Sequence, residues 1–314
     1  MPVGRLYTLS AIQINGSSPL LITGLDNSDY SNNIEELLVH AAGQPNAGFM
    51  ANISIAPTLS FVTTQLAQVL GLITLGSGLC IPNGSTQTSV VAYFSRINKC
   101  QDRASGANHV SLTFANGLFV IDSISASQGQ AASASVTFHA LFDGTNVPVV
   151  VSQTATLPAN ILVQEMFTLG PVKVNGTDLG DVQAASISVN PTVEKLGGSG
   201  DIYPTFAGFM QKQIRFELDC LDFSLLATYG PFSQATNATA TIVYLRKMAN
   251  QATRVADATA QHISLALASN SASGMLRVDT ASSQNNQRGA VRLVITPIEN
   301  STGYVVINTA TAIT

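Results

Sequence analysis

His109 and Asp122, with His262 and Asp279 further along the chain, are the residue types that a nucleophilic hydrolase places beside a serine. In such a site an imidazole takes the hydroxyl proton and a carboxylate orients the imidazole. Serines abound, yet none sits in a Gly-x-Ser-x-Gly elbow or another nucleophile setting. Gly197-Gly198-Ser199-Gly200 lacks the Gly-Lys-Ser/Thr that completes a phosphate loop, and no strand-to-helix step surrounds it. The histidines and cysteines stand singly, without metal-ligand spacing. Asp26, Asp29, Glu35 and Glu36 lack the alternating carboxylates and central glycine of a calcium loop. The residues therefore predict no catalytic group, no metal site and no cofactor, and the chain reads as a non-enzyme.

What His109 and Asp122 do show is recurrence. His109-Val110-Ser111-Leu112 answers to His262-Ile263-Ser264-Leu265, and the stretch from Gly117 to Asp122 answers to that from Gly274 to Asp279. Earlier in the chain Ala47-Gly48-Phe49-Met50 returns as Ala207-Gly208-Phe209-Met210. Ile12-Gln13-Ile14-Asn15-Gly16 returns as Val172-Lys173-Val174-Asn175-Gly176, Ile34-Glu35-Glu36-Leu37 as Val193-Glu194-Lys195-Leu196, and Tyr93-Phe94 as Tyr244-Leu245. The order never breaks. Two long copies of one unit are implied, since solenoids and propellers repeat at much shorter periods. The predicted organisation is a first copy over residues 1–158, a linker over 159–165 and a second copy over 166–314. A His or Asp that recurs with its copy is read as a hydrogen bond that both copies keep.

The surface these copies present is polar but almost uncharged. Charged residues are 10% of 314, and the net charge is −4, where soluble domains average about 25% charged. That balance, with no basic run, excludes a general grip on nucleic acid. No apolar run reaches the length of a membrane helix, and the first residues show no signal peptide. Three cysteines (Cys80, Cys100 and Cys220) do not recur between copies, which points to reduced, intracellular thiols.

The elements that must carry these residues read as mainly β. Alternation up to Asn15, then Asn15-Gly16, predicts a hairpin, with its counterpart at Asn175-Gly176. Residues 27–46 read as a long loop or arm, and 49–61 as one strand with Pro57 at an edge or bulge. Leu66, Val69 and Leu70 give a helix over 63–72 whose stripe faces the core, and its counterpart spans 222–229 with Asp222 as N-cap. From residue 90 to 156 the first copy is all strand. One helix and eight or so strands per copy predict an antiparallel barrel or sandwich, twice over.

This sequence of elements, with sparse charge and no site, resembles the tail tube proteins of long-tailed bacteriophages, and more distantly the type VI secretion tube protein. The resemblance covers each copy almost whole. It implies rings that stack into the hollow tail tube, assembled in the host cytoplasm and carried in the virion tail. DNA would cross the lumen without specific binding, and tape-measure, terminator and tail-tip proteins would be partners. It implies an arm reaching the adjacent ring, which maps onto 27–44 and 190–201 and so onto Ile34, Glu35, Glu36, Val193, Glu194 and Lys195. Gly48, Phe49, Met50, Gly208, Phe209, Met210, Tyr93 and Tyr244 would supply repeat core and ring packing. Single-domain members form hexameric rings, so a duplicated chain implies three chains per ring. A capsid decoration protein or a sugar-binding sandwich would share the duplication, but should carry clustered exposed aromatics, and there is no Trp. A terminal tube-like ring is a further alternative.

Overall fold

The structure, a computed structural model, describes residues 6–15, 20–81, 89–97, 108–159, 161, 165–198, 200–230, 236–237, 240–250, 254–267, 274–283, 289–298 and 305–314. The chain is mainly β, with antiparallel pairing and two short helices. The first half runs β1 (Leu6–Ile14), β2 (Leu20–Ile22), β3 (Leu25–Ser31), β4 (Ile34–Val39), β5 (Phe49–Ile55), β6 (Thr58–Thr63), α1 (Leu66–Leu72) and β7 (Gly78–Ile81). It continues through β8 (Val90–Ile97), β9 (His109–Phe114), β10 (Gly117–Ser127), β11 (Ser133–Ala140) and β12 (Val149–Ala155). The second half runs β13 (Phe167–Val174), β14 (Thr177–Leu179), β15 (Val182–Ser188), β16 (Thr192–Leu196), β17 (Phe206–Gln211), β18 (Arg215–Cys220) and α2 (Leu225–Tyr229). It ends with β19 (Thr236–Asn237), β20 (Ile242–Lys247), β21 (His262–Leu267), β22 (Gly274–Ser282), β23 (Ala290–Pro297) and β24 (Val305–Thr311).

One strand order occurs twice. A five-stranded sheet β12-β9-β8-β1-β2 in the first half has its counterpart in β24-β21-β20-β13-β14, and the free-standing hairpin β4-β5 in β16-β17. The third sheet is shared. It runs β3-β6-β11-β10 through the first half and then, without a break, β15-β18-β23-β22 through the second. Both halves are thus joined by backbone ladder as well as by the expected linker, of which residues 160 and 162–164 lie outside the described ones. Even local irregularities repeat: β10 and β22 each bulge at an aspartate, Asp122 and Asp279.

The core lies between each five-stranded sheet and its part of the long one. In β6 and β18 alternate residues are buried, which puts Leu59, Phe61, Phe216 and Leu218 inward. Phe114 of β9 meets Phe138 of β11 at 5.1 Å, and Phe138 meets Phe119 of β10 at 4.6 Å. These rings lock the two sheets face to face, each fully buried Phe contributing about 1.5–3 kcal/mol. Asn175 and Gly176 both take positive φ, 52° and 77°, as the expected tight hairpin turn between β13 and β14 requires. Its first-half counterpart, Gly16, lies outside the described residues.

Several expectations are corrected. Residues 27–46 are not one long loop: they contribute most of β3 and all of β4, and only 32–33 and 40–46 carry no strand. Their strands were hidden because β3 is a polar sheet edge and β4 buries neither face, so neither alternates cleanly. The span 49–61 is two strands in different sheets, divided at Ala56-Pro57. Pro57 has no N–H for a ladder, and its carbonyl instead accepts from the Ala140 N–H at 3.0 Å. The first helix starts at Leu66, because Thr63 ends β6 and its hydroxyl accepts from the Gln65 N–H. The second starts at Leu225, with Ser224 at the cap position. Asp222 instead closes the turn before it, accepting from Ser224 N–H at 2.9 Å and Oγ at 2.6 Å.

Candidate assembly interface

The residues that could have formed a hydrolase site are engaged separately. His109 Nδ1 accepts from the Arg96 backbone N–H at 3.0 Å, and His262 Nδ1 accepts from the Lys247 N–H at the same distance. His262 Nε2 faces the Ala256 carbonyl at 3.1 Å and, with Nδ1 accepting, is the nitrogen that donates. Asp122 accepts from Thr137 at 2.6 Å, while Asp279 lies near Arg215 and Arg277. Burial raises the Asp122 pKa against the lowering effect of that Thr137 bond. Burial, and then the Arg96 charge, lower that of His109. The two imidazoles pin one strand end to its neighbour in each half. Among the described residues no group of His, Cys, Asp or Glu could hold a metal.

The long sheet has one covered and one open face. On the open face of the first half Ser60 lies 3.0 Å from Thr137, and Ser125 lies 3.1 Å from Ser133. The second half puts charge there, but balanced: Arg292 grips Asp219 with two bonds of 2.7 and 3.0 Å, and Arg215 meets Glu217 at 3.0 Å. With Arg277 and Asp279 this makes three arginines against three carboxylates.

The junction between halves is the informative feature. β10 pairs with β15 like to like: Ser123 with Ser188, Ile124 with Ile187, Ser125 with Ser186 and Ala126 with Ala185. The Val189 N–H closes it on the Asp122 carbonyl at 2.9 Å. The contact is head-to-tail, because β15 occupies in its half the place that β3 occupies in the first, and β10 the place of β22. Among the described residues two edges of this sheet are therefore left without strand partners, β3 at one end and the last part of β22 at the other. Ile124 and Ala126 are 2% and 3% exposed under β15, whereas residues 279–282 of β22 are all exposed.

Other contacts follow the same direction. The loop of the second hairpin rests on the first half: the Ile55 N–H donates to the Ile202 carbonyl at 2.7 Å, and the Phe142 N–H to the Pro204 carbonyl at 2.8 Å. The Tyr203 ring stands 5.8 Å from that of Phe142. Lys195 on β16 adds its charge beside His139 on β11. Burial first, then Lys195, push the His139 pKa down to about 4.

That depression has a stability consequence. Above about pH 6.5 both folded and unfolded His139 are neutral; below it the unfolded chain takes a proton that the folded one refuses. Stability should therefore fall between about pH 6.5 and 4 and level off beneath. Allowing for solvent screening, the loss is about 1 kcal/mol. Thermal melts of wild type and His139→Gln across that range check it: the variant should lack this part of the slope.

Of the expected interface residues, Ile34, Glu35 and Glu36 are exposed on β4, while Val193, Glu194 and Lys195 on β16 are half-buried. Tyr244 is buried in the core, and the Tyr93 hydroxyl reaches Gln13 Oε1 at 3.4 Å. Phe49 and Met50 are not core: they are 57% and 65% exposed, and Met210 is 66% exposed, with Gly48 beside the first pair and Gly208 on β17. Nor do the two Phe-Met pairs hold one place. Phe49 opens β5 opposite Val39 at the far end of its hairpin, whereas Phe209 pairs Val193 near the base of the other. The hairpins differ in length, so equal sequence spacing does not give equal position.

Missed altogether were the edges. The stretches 123–127 and 184–188 share a Ser-Ile-Ser and alternate small with apolar residues, a pattern that could have marked them as mutual partners. No protein-family profile matches the chain, and no curated protein matches it in sequence. Among the described residues no helix is long and apolar enough to cross a membrane.

Proposed function

We propose that the chain is a structural subunit that joins copies of itself head-to-tail into a closed ring, and that such rings stack into a tube of the phage-tail kind. The observation that carries the reading is the β10-β15 junction. A head-to-tail contact leaves its own two halves free at the ends, so it repeats until rotation closes it or a filament results. Repeated between chains, it pairs β22 of one with β3 of the next, matching Thr280 to Ser31, Ala281 to Tyr30 and Ser282 to Asp29. A tube ring of six such units then takes three chains.

The open face of the long sheet would line the channel. Its serines, threonines and balanced ion pairs give passing phosphates no net positive surface to stick to. Fusing two units makes every second contact intramolecular, which raises its effective concentration to the order of mM and eases closure. The partners in this reading are further copies of the chain, with tail-terminator, tail-tip and tape-measure proteins at the ends and within the tube.

Electron microscopy of concentrated protein tests the reading. Rings of three chains with approximate six-fold symmetry, stacked or single, are expected. Six chains per ring, or no assembly under any condition, would overturn it.

A further inference from the structure

Inside the chain, α1 of the first half lies against β24, the outer strand of the second-half five-stranded sheet. α2 and β12 hold the same places in chain order and in sheet order, and among the described residues α2 does not lie along β12 as α1 lies along β24. Their exposure records the difference. α1 buries Leu66, Val69 and Leu70, whereas α2 buries only Leu225, and Phe223 just before it is 44% exposed. On the strands, Val151 of β12 sits opposite Leu112, and Ile307 of β24 sits opposite Leu265. Paired residues point to the same face, so both side chains turn toward the core side. Ile307 is half-buried and packs against the core, whereas Val151 is 59% exposed; Val150, opposite Thr113, turns to the other face.

We infer that the core-side face of β12 around Val151 is a docking site for the α2 segment of a second copy, with Phe223 set over Val151. The occupant follows from the intrachain contact: the element covering β24 is α1, and the equivalent element left over is α2. The direction is also right. α1 belongs to the unit that gives its β10 edge and β24 to the unit that gives its β15 edge, so α2 of one chain reaches β12 of the chain whose β3 meets its β22. The inference deepens the ring reading and rests on it for geometry.

Cross-linking separates the two. In a background with Cys80→Ser and Cys100→Ser, chains carrying Val151→Cys are mixed with chains carrying Phe223→Cys and treated with a short bismaleimide. Linked dimers should form in the mixture and in neither variant alone. In parallel, Val151→Asp should raise the protein concentration needed for assembly by at least about tenfold. Its monomer should melt as wild type does, because the side chain is already exposed there. Rings that form without cross-link, and at wild-type concentration with Val151→Asp, would overturn this contact and leave the ring. Cross-linked dimers without rings would keep the contact and overturn closure. Chains that neither link nor assemble would remove both.

Discussion

Chains carrying Ala281→Pro are expected to remain monomeric at concentrations where, in the proposed assembly, the wild-type chain would close into rings, and to melt at the wild-type temperature. The argument starts from backbone direction in β10. The Asp122 carbonyl accepts from Val189, and the Gln128 N–H donates to Gln183, so even-numbered residues there turn their backbone groups toward β15. Ile124 is one of them. Ala281 stands two residues past the Asp279 bulge, as Ile124 stands two past that of Asp122. Its N–H therefore points away from β23 into the open edge. A proline removes that donor and crowds any arriving strand, yet breaks no ladder bond of its own chain. The same change at Ile124 should cost the folded monomer about 3 kcal/mol, since its partner strand is already in place. Light scattering of the first variant and thermal melts of both make the comparison, with an expected rise in assembly concentration of about a hundredfold for Ala281→Pro. Rings from Ala281→Pro at wild-type concentration would mean that the chains do not meet through this edge.

How much of this was legible beforehand depends on what each residue packs against. The strands with one face on the core alternate by two, as Thr58–Thr63 and Ser133–Ala140 do, and their type could be read directly. The tandem repeat could be read too, because Gly117 and Gly274 answer a local demand. A Cβ at either would press on a neighbouring carbonyl, of His139 at 2.5 Å and of Thr296 at 3.0 Å. The elements that escaped are those with little of their own chain packed on them. Leu25–Ser31 is polar because it is a mostly exposed edge strand with β6 beside it, and Ile34–Val39 does not alternate because neither face is covered. Ala-Gly-Phe-Met misled for a related reason: a match on an exposed hairpin carries no packing constraint to hold its register.

Replacing Phe49, Met50, Phe206 and Met210 together by serine should leave rings that close but do not stack. The two hairpins present an unusual amount of bare apolar surface: Ile34, Leu37, Leu38, Val39, Phe49, Met50 and Ile53 on the first, Leu196, Phe206 and Met210 on the second, each 44% to 66% exposed. Such patches mark an interaction site. The second hairpin shows which contact it is not. Its loop already rests on the neighbouring unit through Ile202, Tyr203 and Pro204, and still Phe206 and Met210 remain open. In the proposed ring that contact is the lateral one, so these faces would be left for a ring above or below. Each half-exposed side chain contributes about 1 kcal/mol when its remaining surface is buried. Four per chain over three chains sum to roughly 12 kcal/mol per ring junction, far more than the association of a ring onto a tube can lose. The substitutions cost the subunit little, because the residues are bare in it. Micrographs should show single rings in place of tubes, and sedimentation should show one ring-sized species. Tubes of ordinary length from the fourfold variant would place stacking elsewhere, and loss of rings as well would move these faces into the lateral contact.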